Sequence, residues 1–72
     1  MNEVNIVNIF GERLKEARQK ANLTQAELAE KVGMSPNFIG MIERGERNTI
    51  LANVYKIILA VNGNLEDFFK GL

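Results

Sequence analysis

The sequence predicts an all-α fold, a single compact domain of five short helices. Three observations lead there. Apolar residues recur at three- and four-residue spacing along most of the chain, and helix-capping residues stand at the matching places. Residues 24–45, TQAELAEKVGMSPNFIGMIERG, also read as two helices joined by a tight turn, a helix-turn-helix by their chemistry.

The first helix carries Ile6, Phe10, Leu14 and Ala17 at helical spacing. Its start is open between Asn2, which would make residues 1–7 an N-terminal helix extension, and Asn8. Gly11 does not decide the matter, since glycine within a helix costs about 1 kcal/mol relative to alanine. The helix continues through Arg13, Lys15 and Arg18 and ends near Ala21-Asn22, with Asn22 as the C-terminal cap.

The second helix, Gln25 to Val32, places Leu28, Ala29 and Val32 on one face and Glu27, Glu30 and Lys31 toward solvent. Thr24 and Glu27 have the spacing of a capping box, in which each side chain accepts from the other residue's backbone N–H. Gly33 stops the helix, because glycine enters the left-handed region without steric cost. Ser35 caps the third helix, and Pro36 takes its first position, where a missing N–H costs nothing. Ala29 is small enough for two helices to cross closely.

The third helix runs from Pro36 to Arg44. At about 100° per residue, Asn37, Gly40, Met41 and Arg44 share one arc of roughly 100°, while Ile39 and Ile42 point the opposite way. Phe38 lies on the border, either half-buried or stacking. A loop, Gly45-Glu46-Arg47-Asn48, follows, and Asn48 or Thr49 can cap the next helix.

The fourth helix, about Ile50 to Val61, carries Leu51, Val54, Tyr55, Ile58, Leu59 and Ala60, too wide an apolar face for one core contact. Asn62-Gly63-Asn64 ends it. Asn64 caps a last helix, Leu65 to Lys70, with Glu66 and Asp67 at its positive end. Leu65, Phe68, Phe69 and Leu72 then give this end more apolar surface than a closing helix needs. Leu65 and Phe68 either close the core or join Phe69 and Leu72 in contacting a partner.

Seventy-two residues make one domain, 1–72, near the lower limit for a self-sufficient apolar core. With no cysteine and no histidine, there is no disulfide framework, no thiolate site, and neither the usual metal ligand nor the usual general base. No apolar run approaches the roughly 20 residues that span a bilayer, and Met-Asn-Glu lacks the basic start of a signal peptide. The expected location is the cytoplasm. No metal, cofactor or small-molecule ligand is expected. There is no Walker-type glycine loop, nucleophile–base pair or catalytic carboxylate cluster, so the expectation is that the chain is not an enzyme.

The formal net charge is zero and the pI near 6.2, which is unusual for a binder of nucleic acid. The distribution is more permissive than the sum. Glu3, Glu12, Glu66 and Asp67 lie toward the ends, whereas Arg44, Arg47 and Lys56 follow the third helix. Helix N-termini and polar side chains can then meet phosphates, with weak non-specific affinity.

LTQAELAEKVGMS followed by IxxIERGxRN, from Leu23 to Asn48, resembles the DNA-binding core of the Cro/C1-type, or xenobiotic-response-element-like, regulators of bacteria and phages. Flanking similarity runs from Arg13 to about Phe69. The GERN ending, the helix after it and the EDFF near the C-terminus resemble the controller proteins of restriction–modification systems. The resemblance implies a lambda-repressor-like five-helix domain whose helix-turn-helix, 24–45, is formed by helices 2 and 3. It implies a homodimeric transcriptional regulator of double-stranded DNA, with the third helix in the major groove of a near-palindromic operator.

On that resemblance, Asn37, Met41 and Arg44 read bases, with Pro36 and Gly40 contributing by shape. Gln25, Ser35, Arg47, Asn48 and Thr49 contact phosphates, and Gln25 also braces the third helix. Arg18 and Glu43 form a structural ion pair. The dimer interface falls among Tyr55, Leu65, Phe68, Phe69 and Leu72. Gly40 and Pro36 depart from the family's usual polar and basic residues at these places, so a relative's target sequence does not carry over. Rival readings are a phage-type repressor or an antitoxin of the same fold, and a helix-turn-helix used only for protein contacts.

Overall fold

A computed structural model describes residues 5–72. The described residues form five helices: α1 (Ile6–Lys20), α2 (Gln25–Val32), α3 (Pro36–Glu43), α4 (Leu51–Ala60) and α5 (Leu65–Phe69). α3 packs against both α1 and α2, α4 lies on α2, and α5 closes against α1 and α4.

The ends of the helices follow from local chemistry. Asn5 caps α1, its side chain accepting from the Asn8 N–H at 3.2 Å, so the helix starts at neither of the two places considered. Asn2 lies outside the described residues. Asn22 adopts φ 60° just past the end of α1, the left-handed conformation an asparagine tolerates. The capping box of α2 is complete: Thr24 Oγ1 accepts from the Glu27 N–H at 3.0 Å, and Glu27 Oε1 from the Thr24 N–H at 2.8 Å. Gly33, at φ 71°, ends α2. Ser35 Oγ accepts from the Phe38 N–H at 3.0 Å and caps α3, with Pro36 in the first turn.

α4 corrects one expectation. Ile50 is its cap, without a side-chain hydrogen bond. Asn48 Oδ1 instead accepts from the Thr49 N–H, and Thr49 Oγ1 from Asn53 Nδ2 at 2.9 Å. With Ile50 at the cap position, Thr49 lies one residue and Asn48 two residues before it, and neither side chain accepts from the helix's free N–H groups.

Six side chains, Leu14, Leu28, Ile39, Ile42, Ile57 and Ile58, are sealed from solvent, and Phe10, Ala29, Val61 and Phe68 complete the core. Burying each large apolar side chain contributes about 1.5–3 kcal/mol relative to leaving it exposed. Phe68, expected at a dimer interface, lies in this core, its ring centroid 5.5 Å from that of Phe10. The reason is packing: the Phe68 ring joins the cluster that Phe10, Ile57, Ile58 and Val61 form, and Phe10 meets it directly. Phe69 is half-buried and stacks on the same ring at 6.1 Å. Arg13 Nη1 donates to the Phe68 carbonyl at 2.7 Å, tying α5 to α1.

The wide apolar face of α4 divides. Ile57, Ile58 and the adjoining Val61 face inward, with Val54 and Ala60 half-buried beside them. Leu51, Tyr55 and Leu59, four residues apart, form an exposed stripe.

Candidate nucleic-acid interface

α3 is held from behind by one polar cluster. Arg18 Nε on α1 donates to Glu43 Oε2 at 2.6 Å and its Nη2 to Glu43 Oε1 at 3.2 Å, a bidentate pair. Arg18 Nη1 also donates to the Leu23 carbonyl at 2.8 Å, and Gln25 Nε2 to Glu43 Oε1 at 3.0 Å. Both charges are buried, so the cluster links α1, the α1–α2 turn, the start of α2 and the end of α3 where water competes little. No buried side-chain nitrogen or oxygen among the described residues lacks a partner.

Gly11 sets the approach of α1 to α3. A Cβ there would overlap the backbone carbonyl oxygens of Ile42 and Glu43. The glycine that weakens α1 as an isolated helix is what lets the end of α3 seat against it.

The outward side of α3 carries the expected base readers. Pro36, Asn37 and Arg44 are exposed and Met41 is half-buried, with Asn37 Nδ2 resting 3.6 Å from Met41 Sδ. Gly40 sits among them but is covered by its neighbours: a Cβ there would lie 3.0 Å from Arg44 Nη1 and 3.4 Å from Gln25 Oε1. Gln25 is half-buried, and Ser35 is exposed with its Oγ engaged in capping.

The loop after α3 brings Arg47 over the half-buried Phe38, the guanidinium carbon 5.8 Å from the ring centroid, a cation–π arrangement. Arg47 and Asn48 are exposed and Thr49 half-buried on this same end of the domain. Of the expected interface residues, Tyr55, Leu65 and Leu72 are exposed, on α4, α5 and the C-terminus, well apart in sequence from the α3 face.

Glu46 is not among the expected contact residues. Its carboxylate accepts from Arg44 Nε at 2.9 Å and Nη2 at 3.3 Å in an exposed pair. That hydrogen bond holds the Glu46 carboxyl below its ordinary range and raises the already high Arg44 value. The signal was available as opposite charges flanking Gly45, whose φ of 75° turns the chain back on α3.

Fold and face together define a helix-turn-helix protein. The helix-turn-helix family model matches residues 14–68, and the chain belongs to this family of DNA-binding transcriptional regulators. It is 44% identical over 57 residues to an uncharacterised HTH-type transcriptional regulator of Archaeoglobus fulgidus, covering 79% of this chain and 80% of that one. It is 32% identical to the control protein C.MunI of a Mycoplasma species, across all of this chain and 96% of that protein. Among solved structures, the restriction–modification controller protein C.AhdI of Aeromonas hydrophila superposes with a TM-score of 0.81 at 35% identity, over 88% of this chain and 96% of that one. The all-α helix-turn-helix fold is thus shared with a controller protein over nearly its full length. Among the described residues no helix is long and apolar enough to cross a membrane, and no cluster of three or more His, Cys, Asp or Glu is placed to hold a metal.

Proposed function

We propose that the chain acts as a homodimer that reads a near-palindromic operator in double-stranded DNA, in the cytoplasm, without catalysing a reaction. One observation carries this: α3 is locked from behind by Arg18, Glu43 and Gln25 while Asn37 and Arg44 are exposed in front, with Met41 half-buried beside them. A rigid element with an unfilled polar face suits the major groove, which admits a helix and presents a distinct donor and acceptor pattern for each base pair. Asn37 has the fork to pair with adenine, Met41 the apolar tip for a thymine methyl, and Arg44 the donors for guanine. Gln25, Ser35, Arg47, Asn48 and Thr49 flank this face and set its register on the phosphates.

The dimer rests on exposed apolar surface. Leu51 is 81% exposed and Tyr55 and Leu59 are each more than half exposed, with Leu65 and Leu72 near half. In so small a domain such a stripe is expected to be covered by a partner. Two copies would set their α3 helices in successive major grooves, about 34 Å apart. Likeness to C.MunI and C.AhdI favours a restriction–modification controller over a phage repressor or antitoxin.

The test is selection of binding sites from random duplex DNA by the purified chain at low salt. Enrichment of an inverted repeat with half-sites about one helical turn apart is the expected result. Failure to enrich any sequence, at concentrations where the protein is dimeric, would favour a protein-contact role instead.

A further inference from the structure

We infer that Glu46 is a positioning residue that presets Arg44 for base reading, with Gly40 as the seat beneath the guanidinium. The inference rests on the DNA-reading face proposed above and adds to it a residue that reads no base itself.

The geometry is specific. Glu46 is brought back toward α3 by the turn at Gly45, and its own N–H donates to the Met41 carbonyl at 2.9 Å, which fixes its backbone. From there its carboxylate occupies the Nε–Nη2 edge of Arg44, at 2.9 and 3.3 Å. A guanidinium is a rigid planar fork with five donors, so committing one edge orients the other. The remaining edge, Nη1 with the second Nη2 hydrogen, is the one that can meet guanine O6 and N7 in a bidentate pair. Nη1 lies over Gly40, 3.0 Å from where a Cβ would stand, so a side chain there would crowd the guanidinium and shift it from this position. Gly40 thus has a reason other than reading a base. It leaves room for Arg44 to lie flat.

Glu46 has a second effect of opposite sign. A carboxylate on the groove-facing side repels phosphates, which lowers affinity for every sequence alike. Removing it therefore raises general affinity while loosening the base preference that Arg44 supplies. A residue acting by charge alone would raise affinity and leave preferences untouched.

The experiment is selection from one random duplex library by the wild type, Glu46→Gln, Gly40→Ala, Arg44→Ala and the Glu46→Gln/Arg44→Ala double variant. Arg44→Ala is expected to lose the guanine preference at one position of each half-site. Glu46→Gln should weaken the preference at that same position about two- to fivefold, the range an exposed ion pair supports, while binding non-specific duplex more tightly. Gly40→Ala should weaken it there too, and the double variant should show the same preferences as Arg44→Ala. A Glu46→Gln variant with wild-type preferences at every position would overturn the inference and leave the DNA-reading proposal standing. A wild type that enriches nothing would remove both.

Discussion

Arg18 Nε and Glu43 Oε2 meet at 2.6 Å behind the helix that faces outward, with Glu43 also accepting from Gln25. Both charges are buried, so the pair is a joint between α1 and α3 whose loss strands its partner. Arg18→Ala or Glu43→Ala is expected to cost about 3–5 kcal/mol in urea unfolding. Replacing both by apolar residues, as Arg18→Met with Glu43→Leu, should cost less than either single change, because no charge is left unpaired.

Two glycines within helices should respond to alanine with opposite signs. Gly11→Ala drives a Cβ into the carbonyl oxygens of Ile42 and Glu43, which are backbone and cannot step aside. A loss of about 1–3 kcal/mol is expected, as for other overpacked sites. At Gly40 the new Cβ meets only the far ends of Arg44 and Gln25, both flexible. There the helix propensity of alanine dominates, and a gain of about 0.5–1 kcal/mol is expected. Thermal unfolding of the two variants side by side makes the comparison.

The Arg44–Glu46 pair has a pH signature. Because the Arg44 hydrogen bond lowers the Glu46 carboxyl, the folded state binds that proton less readily than the unfolded chain. Its contribution is therefore complete above the ordinary carboxylate value and is lost as pH falls through the lowered one. NMR titration of the Glu46 side chain should give a midpoint below that of an unpaired glutamate, returning to the ordinary range in Arg44→Ala. A midpoint unmoved by that substitution would show that the pair does not hold in solution.

Leu51 is expected to separate association from folding. Being 81% exposed, it adds little to the stability of one copy, so Leu51→Glu should change monomer stability by no more than about 0.5 kcal/mol. Sedimentation should nonetheless show the variant as a monomer where the wild type is dimeric. Phe68→Ala provides the contrast, since Phe68 lies in the core and its removal should destabilise the fold by about 3–5 kcal/mol.

What the sequence made legible was chiefly local. The capping box at Thr24 and Glu27, the stop at Gly33 and the Ser35-Pro36 start each involve residues within a turn of one another, so spacing alone exposes them. The Arg18–Glu43 pair spans 25 positions and came only from family resemblance. Nothing in the neighbourhood of Gly11 reveals that α3 ends against it, and a local reading sees only a weak helix former. On α4 nearly every candidate position is apolar, so periodicity could not distinguish Ile57, which is buried, from Leu59, which is exposed. Phe68 was ambiguous for the same reason: an apolar side chain on a short helix suits a core or an interface, and the Phe10 ring beneath it settles which. The Arg44–Glu46 pair escapes helical spacing because it forms across a left-handed turn rather than along a helix face.

The central claim, that α3 enters the major groove, is tested most directly by guanine N7 methylation protection on a duplex enriched by the wild type. N7 lies in the major groove, and the account predicts protection in two successive major grooves on one side of the DNA, weakened at a single position per half-site by Arg44→Ala. Tight binding with every guanine N7 left open to methylation would contradict it.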